Sequence, residues 1–348
     1  MRGKGAAVTS QSDELPRIPP PALIGDIGGT NARFALVTGD AMTRFPDEQG
    51  ADYATIDDAI AHALEKSDTA KPRSAVLALA GPIQGDAVPL TNSPWVVEPK
   101  RLIKRFGLEE VILLNDFEAL SLALADFTEG DLDFIGDARP EPDRPRVALG
   151  PGTGLGAAAL LHVRGMWVPV PGEGGHVDLA PVTPRDFAIW PHIEKPHPTG
   201  GVSGETLLCG AGLVRLYRAV AATNGAAAPL ATPADIAAAG LAGSDASATE
   251  TLDLFATYLG RLAGDLALVF VATGGVYLAG GITGHIAPAL KSGRFREGFV
   301  DKYPHGPMLE RMATAIITKP YAALDGIAAL ARNPMRFGVE PGSRVWRA

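Results

Sequence analysis

A strand, a glycine-rich turn that carries a threonine, and a second strand follow one another at two places in the chain. The first copy is GDIGGTN at residues 25–31, and the second is GPGTGLG at residues 150–156. Each turn comes directly after a short apolar run, as expected at the end of a buried strand. Self-similarity over such a long interval indicates a duplicated architecture. We therefore predict an α/β protein with two lobes of related topology that face a cleft.

The length and composition of the chain agree with a large folded protein. Its 348 residues exceed what one hydrophobic core usually serves, and 46% hydrophobic with 20% charged residues is typical of a well-packed α/β protein. We predict a disordered tail at residues 1–21, a small α/β domain at residues 22–126 plus 323–342, and a large α/β domain at residues 127–322.

The charge and cysteine content exclude several classes of protein. The net charge of -8 has the wrong sign for a nucleic-acid-binding protein, and no basic run with interleaved aromatic residues occurs. Any phosphate should therefore be held by backbone N–H groups or a metal ion. Cys209 is the one cysteine, which excludes an internal disulfide, and the N-terminal residues contain no apolar stretch typical of a signal peptide. We expect a cytoplasmic protein.

A long uncharged segment tests whether the chain enters a membrane. Residues 266–290 contain no Asp, Glu, Lys or Arg and are long enough to span a bilayer. Glycines at 274–275 and 280–281 interrupt this segment. They divide it into a helix end, a short strand and a turn. We therefore expect no membrane span.

The periodicity of apolar residues, together with glycine, proline and helix-capping residues, predicts the remaining secondary-structure elements. The predicted strands cover residues 22–27, 32–37, 42–45, 75–80, 111–114, 146–149, 157–163, 166–170, 276–280 and 314–318. The predicted helices begin after Thr55 and cover residues 98–106, 117–125, 204–220, 251–271 and 324–332. Between them, residues 222–249 form an Ala/Gly/Thr-rich stretch that reads as compositionally loose.

Neither glycine-rich turn matches a common nucleotide-binding motif. A Walker A loop is absent from the sequence. Gly152, Gly154 and Ala157 fall in the register of the Rossmann fingerprint, with Glu173 about 20 residues further on. A Rossmann turn opens a helix, however, whereas residues 157–163 continue as a strand. A β-hairpin turn is the better interpretation.

The two hairpin turns are candidates for binding a polyphosphate. Backbone N–H groups can approach an anion closely where glycine leaves them uncovered, and the hydroxyls of Thr30 and Thr153 add donors. Asp26 stands beside the first turn, where it could hold Mg²⁺ directly or through water. Gly280 and Gly281 could let a nucleotide base approach the backbone. The alternatives are that both turns are only tight hairpins without a ligand, and that Gly280 and Gly281 only end a strand.

The segment LNDFEAL provides a candidate general base. Asn115 and Asp116 follow the apolar run 111–114 at the carboxyl end of a predicted buried strand. A carboxylate there is costly unless it is used or paired. Asp116 could take the proton of a substrate hydroxyl during phosphoryl transfer. The alternative role of Asp116 is to cap the helix at residues 117–125.

Three further polar residues suit an uncharged ligand rich in hydroxyl groups. Glu173 and His176 lie in PGEGGHVDLAP, and Glu205 lies at the start of a predicted helix in VSGETLLCGAG. Such side chains accept hydrogen bonds from sugar hydroxyls. The alternatives are a solvated turn for Glu173, a structural hydrogen bond for His176 and a helix-dipole position for Glu205. A metal pair of His176 with Asp178 lacks a third ligand at fitting spacing.

Taken in order, these motifs resemble those of a known enzyme family. GDIGGTNARFAL, PLTNSPW, LNDFEAL, LGPGTGLGAA, PGEGGHVDLAP, SGETLLCGAGLVRLYRA and GGVYLAGGI are similar to the motif series of bacterial ATP-dependent glucokinases, within the actin/hexokinase/Hsp70 ATPase superfamily. The similarity runs from about residue 23 to about residue 330. An ordered series is more specific than any single motif in it.

The resemblance implies a fold, a reaction and a set of site residues. The fold is the two-lobed actin-like ATPase (ribonuclease H-like) fold with a cleft for glucose and MgATP, and the γ-phosphate moves to the sugar 6-hydroxyl. Asp116 would be the base. The glucose-binding residues would be Asn115, Asp116, Glu173, His176 and Glu205. The residues for ATP and Mg²⁺ would be Asp26, Gly28, Gly29, Thr30, Asn31, Gly152, Thr153, Gly154, Gly280 and Gly281, with Asp26 on the metal. The resemblance also implies a homodimer.

The sequence departs from the family at three places and leaves rival functions open. The departures are the tail at residues 1–21, the stretch WPHIEKPHPTGGV at residues 190–202, and the sequence after Pro320, where the family often has Gly-Leu-Leu-Gly. One rival is a sugar-sensing regulator, but one cysteine and a short tail do not supply its zinc motif and helix-turn-helix. Another is an actin-like filament protein. A kinase for another hexose also remains open, because epimer discrimination depends on hydrogen-bond geometry.

Overall fold

The structure is a computed structural model that describes residues 17–66, 70–91, 93–197, 199–339 and 342–348. The chain forms two compact units. The first comprises the described residues up to Ala123, together with Val163–Pro169 and Tyr321–Ala348. The second comprises Leu124–His162 and Val170–Pro320.

The described residues form strands and helices in a mixed order. The strands are β1 (Ala22–Ile27), β2 (Asn31–Thr38), β3 (Ala41–Arg44), β4 (Glu48–Gln49), β5 (Ser74–Leu79), β6 (Val88–Pro89), β7 (Val96–Val97), β8 (Glu110–Asn115), β9 (Leu132–Phe134), β10 (Arg146–Pro151), β11 (Leu155–Val163), β12 (Met166–Gly172), β13 (Val276–Leu278), β14 (Thr314–Ile317) and β15 (Val345–Arg347). The helices are α1 (Ile56–Glu65), α2 (Pro99–Phe106), α3 (Asp116–Ala123), α4 (Pro184–Ile189), α5 (Gly204–Leu207), α6 (Gly210–Thr223), α7 (Pro233–Ala242), α8 (Ala246–Phe270), α9 (Gly281–His285), α10 (Ala287–Leu290), α11 (Arg294–Val300), α12 (Gly306–Glu310) and α13 (Ala322–Arg332).

The first unit is built on a sheet of order β15-β8-β5-β1-β2-β3, with β4 paired to β2. Strands β1, β5 and β8 are parallel, and β2 and β15 run antiparallel to their neighbours. Leu23, Leu77 and Leu113 of the sheet share a buried cluster with Ile60 of α1 and Leu102 of α2. Helices α3 and α13 pack on each other, and α13 also contacts β1 and β5. The central strands are apolar runs, as expected for strands that helices cover.

A second sheet repeats this strand order. Its order is β12-β11-β10-β13-β14-β9, in which β10, β13 and β14 are parallel and β11 and β9 are antiparallel to their neighbours. The glycine-rich turn therefore joins the first two strands of the repeated pattern in both sheets. This shared order is what the repeated sequence motif predicts.

Long helices of the second unit pack closely through glycine. Helix α8 contacts α11 over a large surface. A Cβ added at Gly260 of α8 would lie 2.1 Å from the carbonyl oxygen of Phe295, and one added at Gly298 of α11 would lie 2.4 Å from that of Thr257. Larger residues at these two positions would force the helices apart.

Several predicted elements have different bounds in the structure, and three of these differences have a local cause. The helix predicted at residues 204–220 is divided into α5 and α6, because Cys209 is extended and its sulfur accepts the N–H of Gly212 as the cap of α6. The stretch at residues 222–249 is not loose throughout, since Thr232 and Asp245 cap α7 and α8 there. The strand predicted at residues 276–280 ends at Leu278, because Gly280 has a φ of 90°.

The predicted tail and the uncharged segment can also be compared with the structure. Residues 1–16 lie outside the described residues. Residues 17–21 do not form a loose tail as predicted, since Ile18 is buried and its N–H donates to Glu110 Oε1 at 3.0 Å. Residues 266–290 are divided between the end of α8, β13, α9 and α10. In the described part of the chain, no helix combines the length and apolarity needed to cross a bilayer.

A buried carboxylate ties α4 to α8 in the second unit. The Asp186 side chain is 1% exposed and accepts hydrogen bonds from the Val182 N–H, the Thr183 N–H, the Tyr258 hydroxyl and Arg261 Nη1 at 2.8–2.9 Å. Burial raises the pKa of Asp186, but these hydrogen bonds outweigh it and hold the pKa below its ordinary value. The carboxylate is therefore stabilised in the folded state.

Replacing Asp186 should remove a pH-dependent part of the stability. We expect Asp186→Asn to lower the free energy of unfolding at pH 7 by about 3 kcal/mol, because Arg261 is left without its buried carboxylate. A carboxyl whose folded pKa is depressed stabilises the fold above its unfolded pKa of about 3.9 and loses this effect as pH falls. The difference from wild type should therefore shrink between pH 6 and pH 3 in urea titrations. Exposed Asp137→Asn is the control, and equal losses in both variants would contradict the assignment.

Candidate functional site

The first glycine-rich turn lies between β1 and β2 of the first unit. These strands pair antiparallel, and the N–H of Gly28 donates to the carbonyl of Asn31 at 3.0 Å. Thr30 is exposed, and its carbonyl accepts the N–H of Gly50 at 2.8 Å. Gln49 Nε2 donates to Asn31 Oδ1 at 2.7 Å. The segment around β4 therefore supports the turn from one side.

Asp26 lies directly beside this turn and is paired with an arginine. Arg33 occupies the opposite position in the β1–β2 register, and its Nη1 donates to Asp26 Oδ2 at 3.1 Å. Burial raises the pKa of Asp26, while the charge and hydrogen bond of Arg33 lower it in part. The Asp26 side chain is 17% exposed. It is a half-buried carboxylate that one guanidinium already partly neutralises.

Asn115 and Asp116 lie at the junction of β8 and α3. Asn115 Oδ1 accepts the N–H groups of Phe117 at 2.9 Å and Glu118 at 3.3 Å, so Asn115 caps the helix. Asp116 is the first helical residue, and its Oδ1 also accepts the Phe117 N–H at 2.9 Å. The alternative role of Asp116 as the cap is therefore taken mainly by its neighbour. The helix predicted at residues 117–125 covers Asp116–Ala123 in the structure.

The sheet brings these two groups of residues to one edge. In the parallel register, Ile27 pairs with Leu79 and Leu79 pairs with Asn115. The glycine-rich turn and Asp116 thus follow the carboxyl ends of strands two positions apart, which corresponds to about 10 Å. Asn115 Nδ2 also donates to the carbonyl of Gly81, beyond β5. Ligands of α/β sheets typically bind at this edge.

The second glycine-rich turn joins β10 and β11 in the second unit. Pro151 pairs with Leu155, and within the turn the N–H of Gly152 donates to the carbonyl of Gly154 at 2.8 Å. Gly280 packs against the same turn, since a Cβ added there would lie 2.3 Å from the Pro151 carbonyl oxygen. This close approach gives Gly280 a packing role in addition to its predicted one. A Cβ at Gly281 would meet open space.

The candidate sugar-binding residues of the second unit form a cluster. His176 Nε2 lies 3.9 Å from Glu173 Oε2 and 4.0 Å from Glu205 Oε1. The side chains of Glu173 and His176 are more than half exposed, and that of Glu205 is 35% exposed. Glu205 is in the first turn of α5, where the helix dipole favours a negative charge. Together they present two carboxylates and an imidazole to one place.

This cluster adjoins the second turn through direct contacts. The N–H of Leu155 donates to Glu205 Oε2 at 2.8 Å. Gly175 lies so close to β11 that an added Cβ would be 1.9 Å from the Leu155 carbonyl oxygen. The loop with Glu173 and His176 is therefore seated on the first residue of β11. Candidate phosphate-binding and sugar-binding residues are therefore adjacent in the second unit.

Several residues that were not predicted from the sequence make hydrogen bonds to the candidate site residues. Arg33 pairs with Asp26, Gln49 donates to Asn31, and the Glu118 carboxylate accepts the N–H of Asn115. The Asn-x-x-Glu spacing of a capping box is a local signal that could have identified Glu118. The other two contacts depend on strand pairing, which the sequence does not specify. Within the described ranges, no group of three or more His, Cys, Asp or Glu residues is arranged to hold a metal ion.

Comparison with known protein families gives a match over most of the chain. The family model described as Glucokinase matches residues 23–334. A curated glucokinase from Mesorhizobium japonicum is 53% identical over 332 residues, which cover 94% of this chain and 96% of that protein.

Solved structures agree in fold. A glucokinase from an Antarctic psychrotroph superposes with a TM-score of 0.81 and 33% identity, covering 90% of this chain and 98% of that chain. A ROK family glucokinase from Streptomyces griseus, in complex with glucose and AMPPNP, superposes with a TM-score of 0.58 and 20% identity, covering 90% of this chain and 99% of that chain. The actin-like ATPase fold class predicted from the sequence is confirmed.

The contact between Gly154 and Glu205 predicts an effect on stability. A Cβ at Gly154 would lie 2.6 Å from Glu205 Oε2, so Gly154→Ala should displace the carboxylate and leave the Leu155 N–H without its partner. We expect a loss of about 1–3 kcal/mol in the free energy of unfolding, measured by denaturant titration. Gly152→Ala is a matched control, because its added Cβ meets nothing closer than 4.0 Å. Equal effects of the two substitutions would contradict this interpretation.

Proposed function

Because this chain belongs to the glucokinase family, we propose that it transfers the γ-phosphoryl group of ATP to the 6-hydroxyl of glucose, which gives glucose 6-phosphate and ADP. The observation that carries the proposal is the position of Asp116 at the same sheet edge as the first glycine-rich turn. This arrangement supports the proposal, because the Asp116 carboxylate then lies at the same edge as the turn that we propose to hold phosphate. The glucose and AMPPNP bound to the Streptomyces griseus protein support the choice of substrates.

Asp116 acts as the general base in this proposal. The substrate hydroxyl becomes acidic only as its bond to phosphorus forms, and a carboxylate at hydrogen-bond distance then takes the proton. Asn115 supplies the cap of α3, so the Asp116 carboxylate is not required for that role. Phosphoryl transfer otherwise depends on positioning and on stabilisation of charge.

In this proposal, glucose is held by hydrogen bonds to the side chains of Asn115, Glu173, His176 and Glu205. Their carboxylate, imidazole and amide groups match the donors and acceptors of sugar hydroxyls. The clustering of His176 between two carboxylates supports this assignment.

Backbone N–H groups of the glycine-rich turns hold the triphosphate, and Thr30 and Thr153 add hydroxyl donors. Gly280 and Gly281 lie beside the adenosine. Asp26 fits a magnesium site, because Mg²⁺ is commonly bound through one carboxylate together with substrate phosphates and water. Arg33 contacts Oδ2 of this carboxylate. When bound, Mg²⁺ supplies neutralisation of the charge on the phosphates.

We also propose that the protein is a homodimer that acts in glycolysis, as the family resemblance implies, and that it is cytoplasmic, in agreement with its single cysteine. A kinase for another hexose is the second candidate. The glucose-binding residues named above can accept hydrogen bonds from the hydroxyls of several hexose epimers. Selectivity among these sugars depends on the geometry of the hydrogen bonds to each of them.

Removal of the Asp116 carboxylate should affect turnover more than binding. We expect Asp116→Asn to lower kcat by at least about 10²-fold, because no base then receives the proton, while the KM for glucose stays within several-fold. Steady-state kinetics with glucose and MgATP provide the measurement. Asp40→Asn, in the exposed turn between β2 and β3, is the control. Near wild-type turnover of the first variant would remove Asp116 from the mechanism.

Substrate choice can be tested on the purified protein. We expect glucose with ATP to give a kcat/KM at least about tenfold above mannose, fructose, glucosamine and N-acetylmannosamine, and above ADP or polyphosphate as donor. The measurement is a coupled assay of sugar 6-phosphate formation with Mg²⁺. A higher value for another hexose would establish the second candidate. Binding of glucose without turnover of any sugar would point to a sensor and overturn the proposal.

A further inference from the structure

The start of α3 is held by a reciprocal pair of hydrogen bonds. Asn115 Oδ1 accepts the N–H of Glu118, and the N–H of Asn115 donates to Glu118 Oε2 at 3.3 Å. This arrangement is a capping box, with the cap residue and the third helical residue satisfying each other's backbone groups. Asp116 lies between them in sequence. The position of its backbone therefore depends on the carboxylate of Glu118.

Glu118 is a fully buried carboxylate, which is unfavourable unless it is paired. Its side chain is 0% exposed. Burial raises the pKa of Glu118, and the neighbouring Arg344 and the Asn115 N–H oppose that rise. Arg344 Nη1 lies 2.7 Å from both carboxylate oxygens and comes from a part of the chain 226 residues away. The capping box thus depends on a charge supplied by the C-terminal segment.

The C-terminal segment is fixed to both ends of β8. Strand β15 pairs antiparallel with β8, and Arg347 Nε donates to Glu110 Oε2 at 2.8 Å at the first residue of that strand. Arg344 contacts Glu118 just beyond the last residue of the strand. Trp346 is buried, and its Nε1 donates to Asp86 Oδ1 at 2.8 Å. These contacts hold Arg344 in place against α3.

We propose that Arg344 is a positioning residue, which acts through Glu118 to fix the backbone of Asn115 and thereby the Asp116 carboxylate. This inference rests on the proposed function, in which Asp116 is the base. Without Arg344, Glu118 is left as an uncompensated buried charge. The carboxylate then turns towards water, and the Asn115 N–H loses its acceptor. The first turn of α3 shifts, and misplacement by about 1 Å can lower a rate by about 10²-fold.

The test compares two arginines of the same segment. Arg344→Met removes the charge at the Asp116 end of β8, and Arg347→Met removes an equivalent ion pair at the other end. We expect kcat to fall by roughly tenfold or more in the first variant, with the KM for ATP nearly unchanged, and by less than about twofold in the second. Both variants should lose stability. A fall in kcat that is equal in the two variants would overturn the proposal, because it would reflect general destabilisation.

A rescue experiment separates positioning from loss of contacts. Glutamine at the third helical position can still accept the hydrogen bond of the cap residue but carries no charge. Adding Glu118→Gln to Arg344→Met should therefore restore kcat to within about threefold of wild type, because the buried charge is gone and the capping box remains. Failure of this rescue, with a folded double variant, would contradict the proposed role of the charge.

A second readout does not depend on activity. Hydrogen–deuterium exchange at the amides of residues 115–118 should be faster in Arg344→Met than in Arg347→Met or wild type, because the capping box is open. Unchanged exchange would refute the proposal even if the wild-type protein turns over no sugar. Absence of wild-type turnover with glucose would refute the proposed function alone, so the two failures can be told apart.

Discussion

In the first unit, parallel pairing of β1 with β5 and of β5 with β8 brings Asp26, the first glycine-rich turn and Asp116 to one edge of a sheet. In the second sheet, pairing of β10 with β13 places Gly280 against the second turn in the same way. The positions of Asp26, Asn115 and Asp116 depend on this register, because ligands of such sheets bind at the carboxyl ends of the parallel strands. The duplication therefore repeats the proposed position for binding as well as a strand order.

Glycine has two physical roles in this protein. At the turns it leaves backbone N–H groups uncovered, which a chain with a net charge of -8 and no basic cluster needs to hold a polyphosphate. At Gly175 and Gly280 it allows contact with the backbone of β11 and β10, since an added Cβ would lie 1.9 and 2.3 Å from carbonyl oxygens. The second role keeps the Glu173 and His176 loop and the proposed adenosine residues seated on the turn. Packing and binding thus select the same residue type.

Local patterns predicted much of the fold and the candidate site. Strand β1 was predicted with its observed bounds, and the repeated turns indicated the shared strand order. Contacts between distant residues were not predictable, because strand register and the course of the C-terminal segment decide them. Arg344 and Glu118 are 226 residues apart, and at the break between α5 and α6 the Gly210 N–H donates to the distant Gly152 carbonyl at 2.9 Å. The roles of the site residues themselves stay predictions.

The central claim is that Asp116 receives the proton of the sugar 6-hydroxyl while the first glycine-rich turn holds the phosphates. The most direct measurement is a crystal structure with glucose and a non-hydrolysable ATP analogue. The account predicts an Asp116 carboxylate oxygen about 2.6–3.2 Å from the 6-hydroxyl, with the γ-phosphate beside the backbone N–H groups of residues 29–30. A 6-hydroxyl bound to another side chain, with Asp116 directed away from the sugar, would contradict it.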